Sequence, residues 1–273
     1  MLKKRVISAA VLLPIVLVLF VIGSWPYRIL IVVVTLLAGF EITRMFRRRE
    51  YGVSFPLISM VILVWEVDAV WPGHAWLLSG VAIASLIVTL VELIRVRARP
   101  QRHDPTEQWA LTLAGGTYLG IGGVHLMHLR ALPDGLWWTL TACAVVWISD
   151  SAAYFVGKRW GRHKMAPGIS PGKSWEGYAA QVVSGLASGL FLSWLWPIIV
   201  GVEIVLTPVS GLVLGGVISV LCPAGDFLVS MMKREVGVKD TGKLIPGHGG
   251  ILDRLDSILW AGILGHLLAQ LFV

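Results

Sequence analysis

Long apolar runs separated by short polar segments dominate the chain. A helix crossing a hydrocarbon core of ~30 Å needs about 20 mostly apolar residues. Stretches of that kind run from Val6 to Ile22, Tyr27 to Thr43, Phe55 to Trp71, Ala75 to Ile94 and Trp109 to Leu129. Four more run from Leu136 to Val156, Ala179 to Ile199, Ile204 to Met232 and Leu255 to Phe272. Glu66 and Asp68 lie near the far end of the third. The fifth carries Gly115, Gly116, Gly120, Gly122 and Gly123, a pattern that predicts close helix–helix approach more than a lipid-facing surface. The pattern predicts an all-α, polytopic membrane protein with nine transmembrane helices.

Charge orients those helices. With the N-terminus in the cytoplasm, all but two of the 23 Lys and Arg, Arg28 and Arg130, fall on cytoplasmic segments. Eight or ten spans would scramble that separation. The expected topology is therefore N-terminus inside and C-terminus on the opposite side. Trp25, Trp71, Trp76, Trp109, Trp137, Trp138, Trp175 and Trp196 lie near span ends, as an interfacial belt requires. Residues 1–273 read as one integral-membrane domain. Within it, 1–135 supply topology and packing, and 136–273 form a catalytic half with cytoplasmic loops at 157–178 and 233–254.

Composition narrows the class further. The chain is 56% hydrophobic and 14% charged, with mean hydropathy +0.77. A soluble domain carries roughly 25% charged residues, so a water-soluble globule, a disordered chain and a disulfide scaffold are all excluded. The net charge of +7 needs no nucleic acid to explain it, because topology and the anionic inner leaflet account for most of it. Cys143 and Cys222 sit in apolar runs and read as small buried hydrophobes. The basic start and first apolar run resemble a signal peptide, but no small-x-small cleavage site follows, and a first transmembrane helix is expected.

Acidic residues in membrane segments are costly and need a reason. Asp150 and Asp226 each lie about seven residues above a cytoplasmic helix end, roughly 10 Å deep, at the level of lipid headgroups. Either could be half of a structural ion pair. Around Asp226 the context is richer. Pro223 and Gly225 should break or kink the eighth helix, freeing backbone groups to line a polar cavity. Beyond the break, Asp226, Ser230 and Lys233 recur at i, i+4 and i+7 and share one face.

The next loop adds Arg234, Lys239, Asp240, His248, Gly249, Gly250, Asp253, Arg254 and Asp256. Gly249-Gly250 leads into the ninth helix, whose unpaired N–H groups favour an anion. Asp253 and Asp256 share a face, with Arg254 between them. Carboxylates gathered beside phosphate-binding cations suggest oxygen ligation of Mg²⁺; a helix cap is the plainer role for Asp253 alone. A second loop holds Gly172-Lys173-Ser174 and Glu176. It lacks the glycine spacing of a Walker nucleotide loop, yet its small residues with Lys and Ser suit a triphosphate cradle.

Three stretches then resemble a known family. They are Gly225-Asp226-x-x-x-Ser230-x-x-Lys233-Arg234 with Lys239-Asp240 and Pro246-Gly247-His248-Gly249-Gly250-Ile251-Leu252-Asp253-Arg254-Leu255-Asp256; Ser170-Pro171-Gly172-Lys173-Ser174-x-Glu176-Gly177; and Asp150-Ser151-x-Ala153-Tyr154. Together they look like the signature of the phosphatidate cytidylyltransferase (CDP-diacylglycerol synthase) family. Ala152 stands where that pattern has glycine.

The resemblance implies a homodimeric enzyme of the bacterial inner membrane, with its active site facing the cytoplasm. Such an enzyme converts CTP and phosphatidate to CDP-diacylglycerol and pyrophosphate with Mg²⁺, and K⁺ beside it. It implies catalytic roles for Asp226, Lys239, Asp253 and Asp256, the three aspartates holding metal. Asp150, Lys173, Ser174, Glu176, Ser230, Lys233, Arg234, Asp240, His248, Gly249, Gly250 and Arg254 would bind substrate. The rivals are a CTP-dependent lipid kinase, a relative acting on another lipid phosphate, and an ion or phosphate transporter. A transporter would place broken helices at the midplane in paired repeats, whereas this polar cluster is unrepeated and lies toward the cytoplasm.

Overall fold

The computed structural model of this protein describes residues 2–49, 51–71, 76–98, 105–245, 247 and 249–273. Helices account for nearly all of the ordered elements: α1 (Leu2–Ile22), α2 (Ser24–Phe46), α3 (Phe55–Val70), α4 (Trp76–Ala98) and α5 (Pro105–Ala131). They continue as α6 (Gly135–Trp160), α7 (Trp175–Val200), α8 (Pro208–Leu221), α9 (Pro223–Glu235) and α10 (Leu252–Ala269). Among the described residues, five stretches are long and apolar enough to cross a membrane: Ser24–Arg49, Leu77–Ala98, Gly135–Trp160, Trp175–Val200 and Pro208–Glu235. The other predicted spans are realised as helices α1, α3, α5 and α10.

Local chemistry sets the boundaries that matter here. Ser174 caps α7 by accepting the Gly177 N–H, and Thr207 caps α8 by accepting the Ser210 N–H. The expected interruption of the eighth span falls at Pro223, which opens α9 immediately after Cys222 ends α8. A proline there removes a backbone donor and pushes the preceding turn aside. The Val220 carbonyl accepts the Tyr178 hydroxyl at 3.0 Å, so a polar side chain reaches the interrupted turn from α7.

Close packing explains the glycines. A Cβ at Gly116 would run into Val61, at Gly120 into Trp65 and at Gly122 into Leu259, so α5 is pressed between α3 and α10. The predicted close approach of the fifth helix is realised. Gly185 and Gly189 of α7 meet Gly211, Gly215 and Ser219 of α8 in the same manner, a small-residue seam suited to apolar surroundings. Glu66 stays inside α3, buried, and accepts the Thr35 hydroxyl at 2.8 Å.

One element corrects the expectation of a loop over 157–178. Lys164–Ala166 (β1) and Ser170–Ser174 (β2) pair as an antiparallel hairpin, with Lys164 opposite Ser174 and Ala166 opposite Ser170. The strands are too short and too polar to show a period-2 apolar pattern. Only the Pro167-Gly168 turn signals them.

Candidate active site

The hairpin brings Lys173 to the break between α8 and α9. Its ammonium pairs with Asp226 Oδ2 at 2.8 Å, lies 3.5 Å from the Pro223 carbonyl oxygen and stands 4.2 Å from the centroid of the Phe227 ring. Ser230, one turn along α9, donates to Asp226 Oδ1 at 3.1 Å. Asp150 of α6 faces the same space, and its Oδ1 accepts the Gln181 amide at 2.8 Å. Lys173, Asp226, Asp150 and Gln181 line a groove of about 550 Å³ walled by α6, α7, the hairpin and the start of α9, with Lys158 and Lys164 adding cationic charge.

Asp256 lies behind this groove. Its Oδ1 accepts the Ser257 N–H at 2.7 Å, and its acidic electrostatic neighbours are Asp226 and Asp150. Lys173 and Arg254 supply opposing charge near Asp150. The tight seat of Gly225 against the Asp256 carbonyl and Trp260 locks α9 onto α10 at this point.

Asp253 has a different environment. Its Oδ1 pairs with Lys233 at 2.7 Å, and its Oδ2 accepts the Thr241 N–H at 2.9 Å, the Thr241 hydroxyl at 3.0 Å and the Gly250 N–H at 3.0 Å. Burial on its own would raise the carboxyl's pKa, but Lys233 and the two backbone donors outweigh it and hold the group below its ordinary range. The left-handed backbone of Gly249 (φ +85°) allows the turn that aims these donors.

Glu41 of α2 completes that arrangement, a residue the sequence reading passed over. It is 1% exposed; its Oε2 accepts the Thr241 hydroxyl at 2.9 Å and the Leu252 N–H at 3.0 Å. The backbones of Gly242 and Gly250 press directly against its carboxylate. A hydroxyl has one proton to donate, so Glu41 and Asp253 share Thr241 and are joined through it. The signal was available: Glu41 is the one acid in the apolar run of α2, and the rule applied to Asp150 and Asp226 covers it too.

The remaining expected site residues divide plainly. Lys239 and Asp240 line a separate cavity with Arg44 and Arg48. Arg234 donates to the Ile169 and Val238 carbonyls, tying the end of α9 to the hairpin turn. Glu176 holds His163 through its Nδ1 (2.7 Å) and its N–H, bracing the hairpin from outside. Ser174 spends its hydroxyl on the α7 cap. His248 lies outside the described residues. Of the three aspartates expected to hold metal, Asp253 is engaged by four donors, and among the described residues no group of three ligating side chains is found.

The fold and site define a helical membrane protein with a polar groove at a helix break, lined by lysines and carboxylates. Residues 3–272 match the model of the cytidylyltransferase family, and the chain belongs to that family. It is 34% identical to the phosphatidate cytidylyltransferase of Haemophilus influenzae, over 94% of this chain and 95% of that protein. It is 31% identical to that of Bacillus subtilis, over 99% of this chain and 98% of the relative. It is also 31% identical to that of Brucella suis, over 99% and 94% respectively.

Proposed function

We propose that this protein transfers the cytidylyl group of CTP to phosphatidate, yielding CDP-diacylglycerol and pyrophosphate for phospholipid synthesis. The observation that carries this reading is the Lys173–Asp226 pair, held at a proline break and opening onto a groove that also contains Asp150. The predicted depth of Asp150 and Asp226 matches a headgroup entering sideways from the leaflet.

A phosphate monoester has a second pKa near 6 and is largely dianionic at pH 7. No general base is needed. An oxygen of phosphatidate attacks the α-phosphorus of CTP, its bond to the bridging oxygen breaks, and pyrophosphate leaves. The barrier is repulsion between two polyanions, so fixed cations do most of the work. Lys173 suits this role because its pair with Asp226 is partly exposed, at 24% and 36% of the two side chains. Such pairs are held by about 0–1 kcal/mol and exchange partners easily.

Mg²⁺ is part of the reading. It is commonly bound by one or two carboxylates plus substrate phosphates, and Asp226 and Asp256, which feel each other's charge, would be the carboxylates that hold it. The ion would supply charge neutralisation at the phosphates. Asp253 serves as a brace that positions the loop and Lys233. We further infer that all nine predicted spans cross the membrane, N-terminus inside, with the groove facing the cytoplasm of a bacterial cell.

Incubating the purified protein with radiolabelled CTP and phosphatidate tests the activity. Mg²⁺-dependent label in a lipid-soluble product is the expected result. No lipid product, or γ-phosphate transfer to a lipid instead, overturns it.

A further inference from the structure

The cavity that receives Lys239 and Asp240 has a volume of about 330 Å³ and is built from opposite ends of the chain. Arg44 and Arg48 come from the cytoplasmic end of α2 and the 3₁₀ turn after it; Lys239 and Lys243 come from the loop after α9. Four cations face one carboxylate, Asp240. Among the described residues none of the four is in an ion pair, whereas Lys173 and Lys233 of the neighbouring site both are. Cytoplasmic positive charge has only to lie on the correct side of the bilayer. Topology gives no reason for two distant segments to focus it in one concave space, where the cations repel each other until an anion enters.

The cavity also connects to the active site. Thr241 is one of its walls, and its N–H and hydroxyl are the donors that hold Asp253, which in turn pairs with Lys233. Lys233 shares a face of α9 with Ser230 and Asp226. Paired guanidiniums with flanking ammoniums match closely spaced phosphate oxygens better than a single carboxylate or a lone charge.

We infer that this cavity binds a polyphosphate anion. On the function proposed above, on which this identification of the ligand rests, that anion is the pyrophosphoryl end of CTP, and free pyrophosphate occupies the same place after release. The N-terminal half then completes the nucleotide site, leaving the groove at Lys173 for the lipid phosphate.

The test uses the full-length protein in detergent and titration calorimetry with inorganic pyrophosphate. Arg44→Gln/Arg48→Gln should weaken pyrophosphate binding about tenfold or more, the scale of losing charge-assisted contacts. Arg44→Lys/Arg48→Lys should recover most of the affinity, and Lys243→Gln, a single change at an exposed side chain, should weaken it about threefold. In turnover, the double Gln variant should raise KM for CTP about tenfold and leave KM for phosphatidate unchanged. Unaltered pyrophosphate binding in both Gln variants overturns the inference. So does a defect confined to phosphatidate or to nanodiscs of anionic lipid, which would make the cavity a headgroup contact. Pyrophosphate binding that depends on Arg44 and Arg48 in a protein forming no CDP-diacylglycerol would keep the cavity and reject the proposed reaction.

Discussion

Two lysine–aspartate pairs sit on α9 and its neighbours, and they differ in almost everything except composition. Lys173–Asp226 is partly open to solvent and lines the large groove, and among the described residues Ser230 also hydrogen-bonds Asp226. Lys233–Asp253 is 11% and 8% exposed, and Asp253 is saturated by Thr241 and Gly250. The first can exchange its partners for a substrate phosphate at little cost. The second cannot, because separating a buried charge from its donors costs far more than the pair contributes as a whole. The same residue types in one signature therefore do different work, and burial together with saturation decides which.

Removing Asp253 should break that contrast most strongly. Asp253→Ala leaves Lys233 buried without its partner and two backbone N–H groups unsatisfied, so a destabilisation of about 3–5 kcal/mol is expected. Denaturant or thermal unfolding in detergent reads it directly, and a stability within about 1 kcal/mol of the wild type would show that the brace is not one. Asp226→Asn should do the reverse: turnover falls at least about 100-fold, roughly 3 kcal/mol in the barrier, while stability changes by less than about 1 kcal/mol. If unfolding shifts as far as for Asp253→Ala, the distinction between the two pairs disappears.

Glu41 sharpens the comparison from the other half of the molecule. Glu41→Ala deprives Thr241 and Leu252 of an acceptor and should cost about 1–3 kcal/mol. Glu41→Gln keeps a carbonyl acceptor and should cost less than half as much. Equal losses in the two variants would mean that the charge, not the hydrogen bonding, is what the loop requires.

The smallest effect is in pH. Because Asp253 is held below its ordinary value of about 3.9, the folded state favours its ionised form. Its contribution is complete above that value and is lost as pH falls through the lower, folded one. The stability gap between wild type and Asp253→Asn should therefore be flat from about pH 8 to 5 and close only below about pH 4. A gap that closes near neutral pH would contradict the assignment.

Much of this was legible along the chain. Each apolar run became a helix, Pro223 interrupted the eighth, and the α5 glycines marked a crowded contact. Asp226, Ser230 and Lys173 were named from spacing and signature, and the structure brings them together. Spacing put Asp253 and Asp256 on one face but carried no information about Thr241 and Gly250, which capture Asp253. The hairpin was invisible because a five-residue polar strand has no hydrophobic period.

Hydropathy and charge are properties of a segment, and a bilayer sorts segments one by one. For that reason the class of protein and its helices follow from the sequence by itself. Which carboxylate meets which cation depends on elements far apart in the chain becoming neighbours. Glu41 in α2 reaching Thr241 and Leu252, and Arg44 facing Lys239, were decided only by tertiary packing, since a buried polar group is tolerated only where the fold brings it a partner.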